Sequence, residues 1–176
     1  MDTGEFWNVV EEARRQTGDP SDSEAVAERA VALLAERPAG EIVAAQQVLW
    51  DLLAMSYRNP LWAAAYVING GCSDDGFDYF RGWLLLQGQQ VYERVVAEPD
   101  ALAELAVVRD AAEEGFEMEC ESALGLAWDA YLRATGEELP QDSFTIRYPD
   151  LEPAWDFDDT GETERRLPRL SALYAE

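Results

Sequence analysis

LWAAAYVINGGCSDDGFDYFRGW, residues 61–83, is the stretch on which the reading of the fold turns. Leu61 to Ile68 is almost wholly apolar, and Asn69-Gly70-Gly71 then breaks the run. Adjacent glycines admit positive φ and asparagine tolerates it, so a sharp reversal is expected here. Ser73 stands where an N-cap belongs, with Asp74 and Asp75 in the first turn of the helix that follows. Carboxylates at that end complement the exposed N–H groups, each for roughly 0.3–1 kcal/mol. Phe77, Phe80, Leu84 and Val91 recur at the spacing of one helical face, which Trp83 widens. Asp78 and Arg81, three residues apart, are placed to pair on the wet side.

Two readings of this corner stand side by side. In the functional one, Trp62, Cys72, Ser73, Asp74, Asp75, Asp78, Tyr79 and Arg81 converge as a binding site. In the structural one, the helix is simply capped, its aromatics are core and its acids serve the dipole. Arg81 is the residue best suited to clamp a carboxylate, from a ligand or from Asp75 or Asp78. Cys72 precedes a helix start, which lowers a thiol pKa, but Asp74 and Asp75 push the other way.

Working outward, the flanking sequence reads as more helices. Asp2 or Thr3 caps one that reaches about Gln16, and Gly18-Asp19-Pro20 ends it. Ser21 with Glu24 spells a capping box for a second, through about Glu36. A third covers about 41–57, and Pro60 suits the start of the next. Beyond the central helix, Glu98-Pro99-Asp100 is a break. Asp110 to Arg133 reads as a long helix with Gly115 as a candidate kink, Phe116, Cys120, Leu124, Ala127 and Tyr131 on one face and Gly136 as its stop. On that reading Asp110, Glu113, Glu114, Glu117 and Glu121 form an acidic ridge. From it, Asp110, Glu113, Glu117 and Glu121 are the candidate ligands for Mg²⁺, Ca²⁺ or Mn²⁺; no other cofactor is expected. A solvated helix face is the competing account.

Past Leu139 the texture changes. Prolines at 140, 149, 153 and 168 surround an acidic segment in which Trp155 and Phe157 would be anchors. Ser143 to Tyr148 looks extended but is too short for a sheet, and Ser171 to Tyr174 suits a last helical turn. The expectation is an all-α protein, a single irregular bundle of about six or seven helices over residues 1–139. Residues 140–176 form a coil-rich wrap packed on the same domain.

Composition narrows the chemistry. Of 176 residues, 48% are hydrophobic and 11% aromatic, enough for a buried core. Histidine is absent, and all 13 basic residues are arginine, so lysine is absent too. That removes Ser-His-Asp and Cys-His catalysis, imidazole metal ligation, Schiff-base chemistry and the P-loop lysine. Two cysteines make no disulfide framework. Met1–Glu5 is acidic and lacks the apolar stretch of a leader, and no run approaches the roughly 18 apolar residues of a membrane span. The cytoplasm is the expected compartment. A net charge of −23 opposes nucleic acid and anionic membranes and favours a basic protein, peptide or cationic ligand.

The run from Gly70 to Trp83, with LWAAAYVI before it and Phe6-Trp7 near the start, resembles a bacterial domain-of-unknown-function family common in actinomycetes. The shared pattern is GGCSDDxFxYFRxWL, matched here by Gly70, Gly71, Cys72, Ser73, Asp74, Asp75, Phe77, Tyr79, Phe80, Arg81 and Trp83. The likeness covers most of the chain and thins after about Leu139. It implies a small cytosolic domain and carries no activity with it. The function expected from the residues is a non-catalytic binding or regulatory module that recognises a basic partner through its acidic surface and the Gly70–Trp83 corner. The alternatives are an enzyme with a carboxylate and arginine site, metal-assisted or not, acting on a small polar substrate, and a plain structural subunit or homodimer.

Overall fold

Asp2 Oδ1 accepts the Glu5 N–H at 2.9 Å while Glu5 Oε2 accepts the Asp2 N–H at 2.8 Å. This reciprocal capping box starts α1, Thr3–Gln16. The computed structural model describes residues 1–152 and 155–175, among which every regular element is helical. The remaining α-helices are α2 (Ser23–Ala35), α3 (Ala39–Ser56), α4 (Asn59–Ile68), α5 (Asp74–Leu86), α6 (Gln89–Ala97), α7 (Ala106–Glu114), α8 (Leu126–Thr135), α9 (Thr160–Arg166) and α10 (Pro168–Leu173). Short 3₁₀ turns occupy Pro99–Glu104, Glu121–Gly125 and Gln141–Ser143. α2 packs against α1 and α8, α8 also against α3, and α5 against the 3₁₀ turn at 121–125. Between them lies one core that includes Phe6, Trp7, Leu34, Leu49, Leu61, Phe77, Phe80 and Leu84.

The all-α expectation holds, but the helices are shorter and more numerous than the six or seven read from the sequence. Glycine accounts for two of the cuts. The central helix stops at Leu86 rather than continuing to Val91, because Gly88 turns the backbone to φ 93° and restarts it as α6. The long helix expected over 110–133 does not form. Gly115 takes the left-handed conformation at φ 76° and closes α7, an arrangement in which glycine avoids the Cβ penalty. Residues 116–120 then run on without helix.

The capping box expected at Ser21 and Glu24 is also replaced. Asp22 caps α2 by accepting the Ala25 N–H at 3.0 Å, and the Ser21 hydroxyl donates instead to Asp19 at 2.6 Å. Glu24 is thereby released to accept from Ser122 Oγ at 2.6 Å, across to the turn before α8.

The tail is wrapped on the bundle, with two short helices where one turn was expected. The segment 143–148 joins no sheet. It is held by Gln47, whose amide donates to the Thr145 carbonyl (3.1 Å) and accepts the Thr145 N–H (2.7 Å), as a neighbouring strand would. Trp155 and Phe157 do pack on the core; Pro153 lies outside the described residues. α10 is bolted down by Asp100, whose carboxylate accepts the N–H groups of Arg169 (3.1 Å) and Leu170 (2.9 Å) and the Arg169 side chain (2.9 Å). This is an N-cap supplied from another part of the chain, and Asp100 is buried. Asp100→Ala should therefore cost about 2 kcal/mol. Hydrogen exchange would show amide protection lost first over 168–173; unchanged protection there would refute the cap. Among the described residues, no helix is long and apolar enough to cross a membrane.

Candidate functional site

The reversal between α4 and α5 is made by Gly70 at φ 64° and Gly71 at φ 129°, both in the region that disfavours a Cβ. Ser73 Oγ accepts the Gly76 N–H at 3.1 Å and caps α5, and Asp74 and Asp75 stand exposed in its first turn. Trp62 braces the turn from α4: its indole N–H donates to the Cys72 carbonyl at 3.0 Å, and its ring stacks on Phe77 at 4.8 Å and 12°.

Asp78 and Arg81 do pair, but inward rather than on the wet side. Arg81 is only 1% exposed. Its guanidinium donates to Asp78 Oδ1 and to the Leu53 carbonyl, and it lies 5.0 Å from the Tyr57 ring centroid and 4.9 Å from that of Phe77. Tyr148 closes the network from the tail by donating to Asp78 Oδ2 at 3.1 Å. The carboxylate that Arg81 clamps is therefore its own helix's, and the cation is taken up by the fold. Tyr57 and the Leu53 carbonyl, from the end of α3, and Tyr148, from the tail, escaped the sequence reading as partners of Arg81 because all three lie outside its own helix.

What faces outward is negative. Residues 117–121 read Glu-Met-Glu-Cys-Glu, with Met118 and Cys120 buried and Glu117, Glu119 and Glu121 exposed. This is the period-two pattern of a half-buried extended segment, and it was legible in the sequence had the helical spacing not been preferred. Two devices lay the segment beside the corner. The Asn69 amide accepts the Met118 N–H (2.9 Å) and donates to its carbonyl (3.3 Å), and the Cys120 N–H donates to the Tyr79 carbonyl at 3.0 Å. Gly82 permits this approach, since a Cβ there would lie 2.7 Å from the Cys120 carbonyl oxygen.

The electrostatics follow from that placement. The Tyr79 phenol is pushed up, first by the charge of Glu121 and also by Asp75 and Asp78. Burial pushes the Cys72 thiol up to about 11, with Glu119 and Glu117 adding to it and Arg81 opposing. The sequence pointed to Asp74 and Asp75 as the acids acting on Cys72; the carboxylates that raise it are Glu119 and Glu117 of the extended segment. The ordinary value is 9.0, so the reactive thiolate is about a hundredfold scarcer than at an unperturbed cysteine whenever the pH is below both values. Iodoacetamide should label Cys72 about tenfold more slowly than a free cysteine at pH 8, the greater nucleophilicity of a more basic thiolate offsetting part of its scarcity, with the rate rising until about pH 11. Labelling at the free-cysteine rate would contradict the placement.

The acidic ridge proposed for a divalent cation is not assembled. Asp110 and Glu113 lie on α7, while Glu117 falls in the extended segment and Glu121 opens a 3₁₀ turn, because Gly115 ends the helix between them. Among the described residues no group of three or more His, Cys, Asp or Glu side chains is placed to hold a metal ion.

No curated protein and no solved structure matches this chain. A family model does match, described as "Protein of unknown function (DUF4240)", over residues 1–133. The matched span takes in the glycine reversal, the buried Arg81 and the Glu117–Glu121 segment, and it stops short of Tyr148 and the tail helices. The chain belongs to the DUF4240 family.

Proposed function

We propose that this protein is a binding module that recognises a basic segment of a protein partner through the acidic face built from the start of α5 and residues 117–121. One observation carries the reading. Two segments about forty residues apart in the chain are fastened together so that Asp74, Asp75, Glu117, Glu119 and Glu121 all remain exposed, with Asp75 and Glu121 acting on Tyr79 and Glu117 and Glu119 on Cys72. Like charges gathered this way repel one another and favour a cationic occupant. The groups that would suit covalent or acid–base chemistry in the same corner are directed elsewhere: Arg81 into the core network, and Cys72 into a half-buried site that holds its proton.

The test is fluorescence anisotropy with a labelled peptide of alternating arginine and glycine. Binding should be tightest at low salt and weaken steadily as sodium chloride is added, because exposed charge pairs are screened over about 8–10 Å at physiological ionic strength. Asp75→Asn, Glu119→Gln and Glu121→Gln together should weaken it about tenfold or more. A matched triple, Glu12→Gln, Glu36→Gln and Glu41→Gln, removes the same charge away from the corner and should change it far less. Equal losses from both triples would mean that net charge alone attracts the peptide, and the site would be abandoned.

A further inference from the structure

A second feature lies apart from the acidic face, between the end of α4 and the C-terminal helices. A cavity of about 550 Å³ is bordered there by Tyr66, Phe157, Tyr174, Asp158, Glu164 and Ser171 among others. That volume falls within the roughly 300–1,000 Å³ typical of small-ligand sites. The rings of Tyr66 and Phe157 stand 5.7 Å apart at 57°. Both tyrosine hydroxyls are engaged in fixing their rings: Tyr66 donates to Asp158 Oδ1 at 2.6 Å, and Tyr174 to the Val108 carbonyl at 3.1 Å. The aromatic walls are therefore preset rather than recruited.

The charge around the cavity has one sign. Its described lining contains no arginine, and the chain has no lysine or histidine. Asp158 and Glu164 are exposed and form no ion pair among the described residues, whereas the adjacent Arg165 and Arg166 are both committed to Glu162. Ser171 Oγ, on the same wall, is buried with no hydrogen-bond partner. An anion would be repelled here, and a neutral apolar molecule would make no use of the carboxylates. A small hard metal ion would demand a cage of oxygens that aromatic rings do not supply. A weakly hydrated organic cation uses both, through ring quadrupoles and opposite charge. The chain already makes this contact internally nearby, where the Arg166 guanidinium lies 4.4 Å from the Trp155 ring centroid.

We propose that this cavity is a binding site for a small free alkylammonium cation, its head against the rings of Tyr66, Phe157 and Tyr174 and its charge answered by Asp158 and Glu164. The site stands whether or not the acidic face binds peptides.

The experiment titrates the full chain with choline and with its neutral isostere 3,3-dimethylbutan-1-ol, following the ring resonances of Tyr66, Phe157 and Tyr174 by NMR. Choline should produce saturable shifts at all three rings, and the isostere should bind about tenfold more weakly, since only the charge differs. Asp158→Asn with Glu164→Gln changes two exposed residues and should weaken choline about fivefold or more while leaving the isostere unaffected. Phe157→Leu keeps an apolar side chain, removes the π system and should act in the same direction. Equal binding of the two probes, no saturable shift, or no effect of the charge variants would overturn the proposal. So would saturation by a capped lysine peptide but not by choline, which would place a partner's side chain in the cavity instead.

Discussion

Arg81→Ala is expected to lower the unfolding free energy by about 3–5 kcal/mol, the range for removing one partner of a buried ion pair. The guanidinium is 1% exposed, so the substitution leaves the Leu53 carbonyl with only its 3.0 Å hydrogen bond from the Ser56 hydroxyl and opens a hole between the rings of Tyr57 and Phe77. Asp78 is better placed to survive, because its side chain is 21% exposed and keeps the 3.1 Å hydrogen bond from Tyr148. That asymmetry makes a second expectation possible. Arg81→Met fills most of the same volume without a charge to desolvate, and Arg81 Nε is buried without a partner in the first place. Its cost should be well below that of alanine, about 1–2 kcal/mol, since apolar replacements of buried charges are often near neutral. Urea unfolding of the three proteins decides it. If methionine and alanine cost the same, the hydrogen bonds matter and the packing does not. If alanine costs under about 1 kcal/mol, the network described here is not what holds the corner to α3.

Gly82→Val is the other change with a large expected effect. A Cβ at position 82 would sit 2.7 Å from the Cys120 carbonyl oxygen and 3.0 Å from the Ala123 Cβ, and the first of these is backbone that cannot swing aside. In an open helix, replacing glycine with alanine gains about 1 kcal/mol from propensity. Here even Gly82→Ala should come out destabilising, by about 1–3 kcal/mol, because the overlap outweighs that gain. Valine adds two more methyl groups and should exceed it. The displacement acts on the segment that carries Glu117, Glu119 and Glu121, so the amide of Cys120, donating to the Tyr79 carbonyl at 3.0 Å, should lose its exchange protection ahead of the amides of α5. A neutral or stabilising Gly82→Ala would show that α5 and the extended segment have more room than this.

The helix starts and stops were legible to the extent that local chemistry governs them. Ser73 caps α5 and Gly70-Gly71 reverse the chain as read, since a cap and a positive φ are decided by residues within a few positions of one another. Where two local signals competed, the reading failed. Glu117 to Glu121 carry spacings that suit a helix ridge and also a clean alternation, and the glycine before them settled the matter in favour of extension. Asp22 displaced Ser21 as a cap for a similar reason: both were eligible, and the Ser21 hydroxyl had Asp19 to bond.

The eight residues singled out at the corner are where the reading placed them along the chain, yet they do not point the same way. Ser73, Asp74 and Asp75 are exposed, Cys72 and Trp62 are half-buried, and Arg81 has left the surface altogether. Nothing in the spacing of Asp78 and Arg81 states which side of the helix is covered, because that depends on α3 and the tail arriving over it.

Composition and sequence alone determined that this protein is helical, strongly acidic and without histidine or lysine, and where its central reversal falls. These are properties of single residues and their near neighbours. Tertiary structure alone decided that the one arginine of the corner is spent on the core, that three glutamates from a distant segment join Asp74 and Asp75, and that the tail closes an aromatic cavity against α4. Each of those depends on contacts between residues tens of positions apart, which are set by how apolar surface is buried across the whole chain.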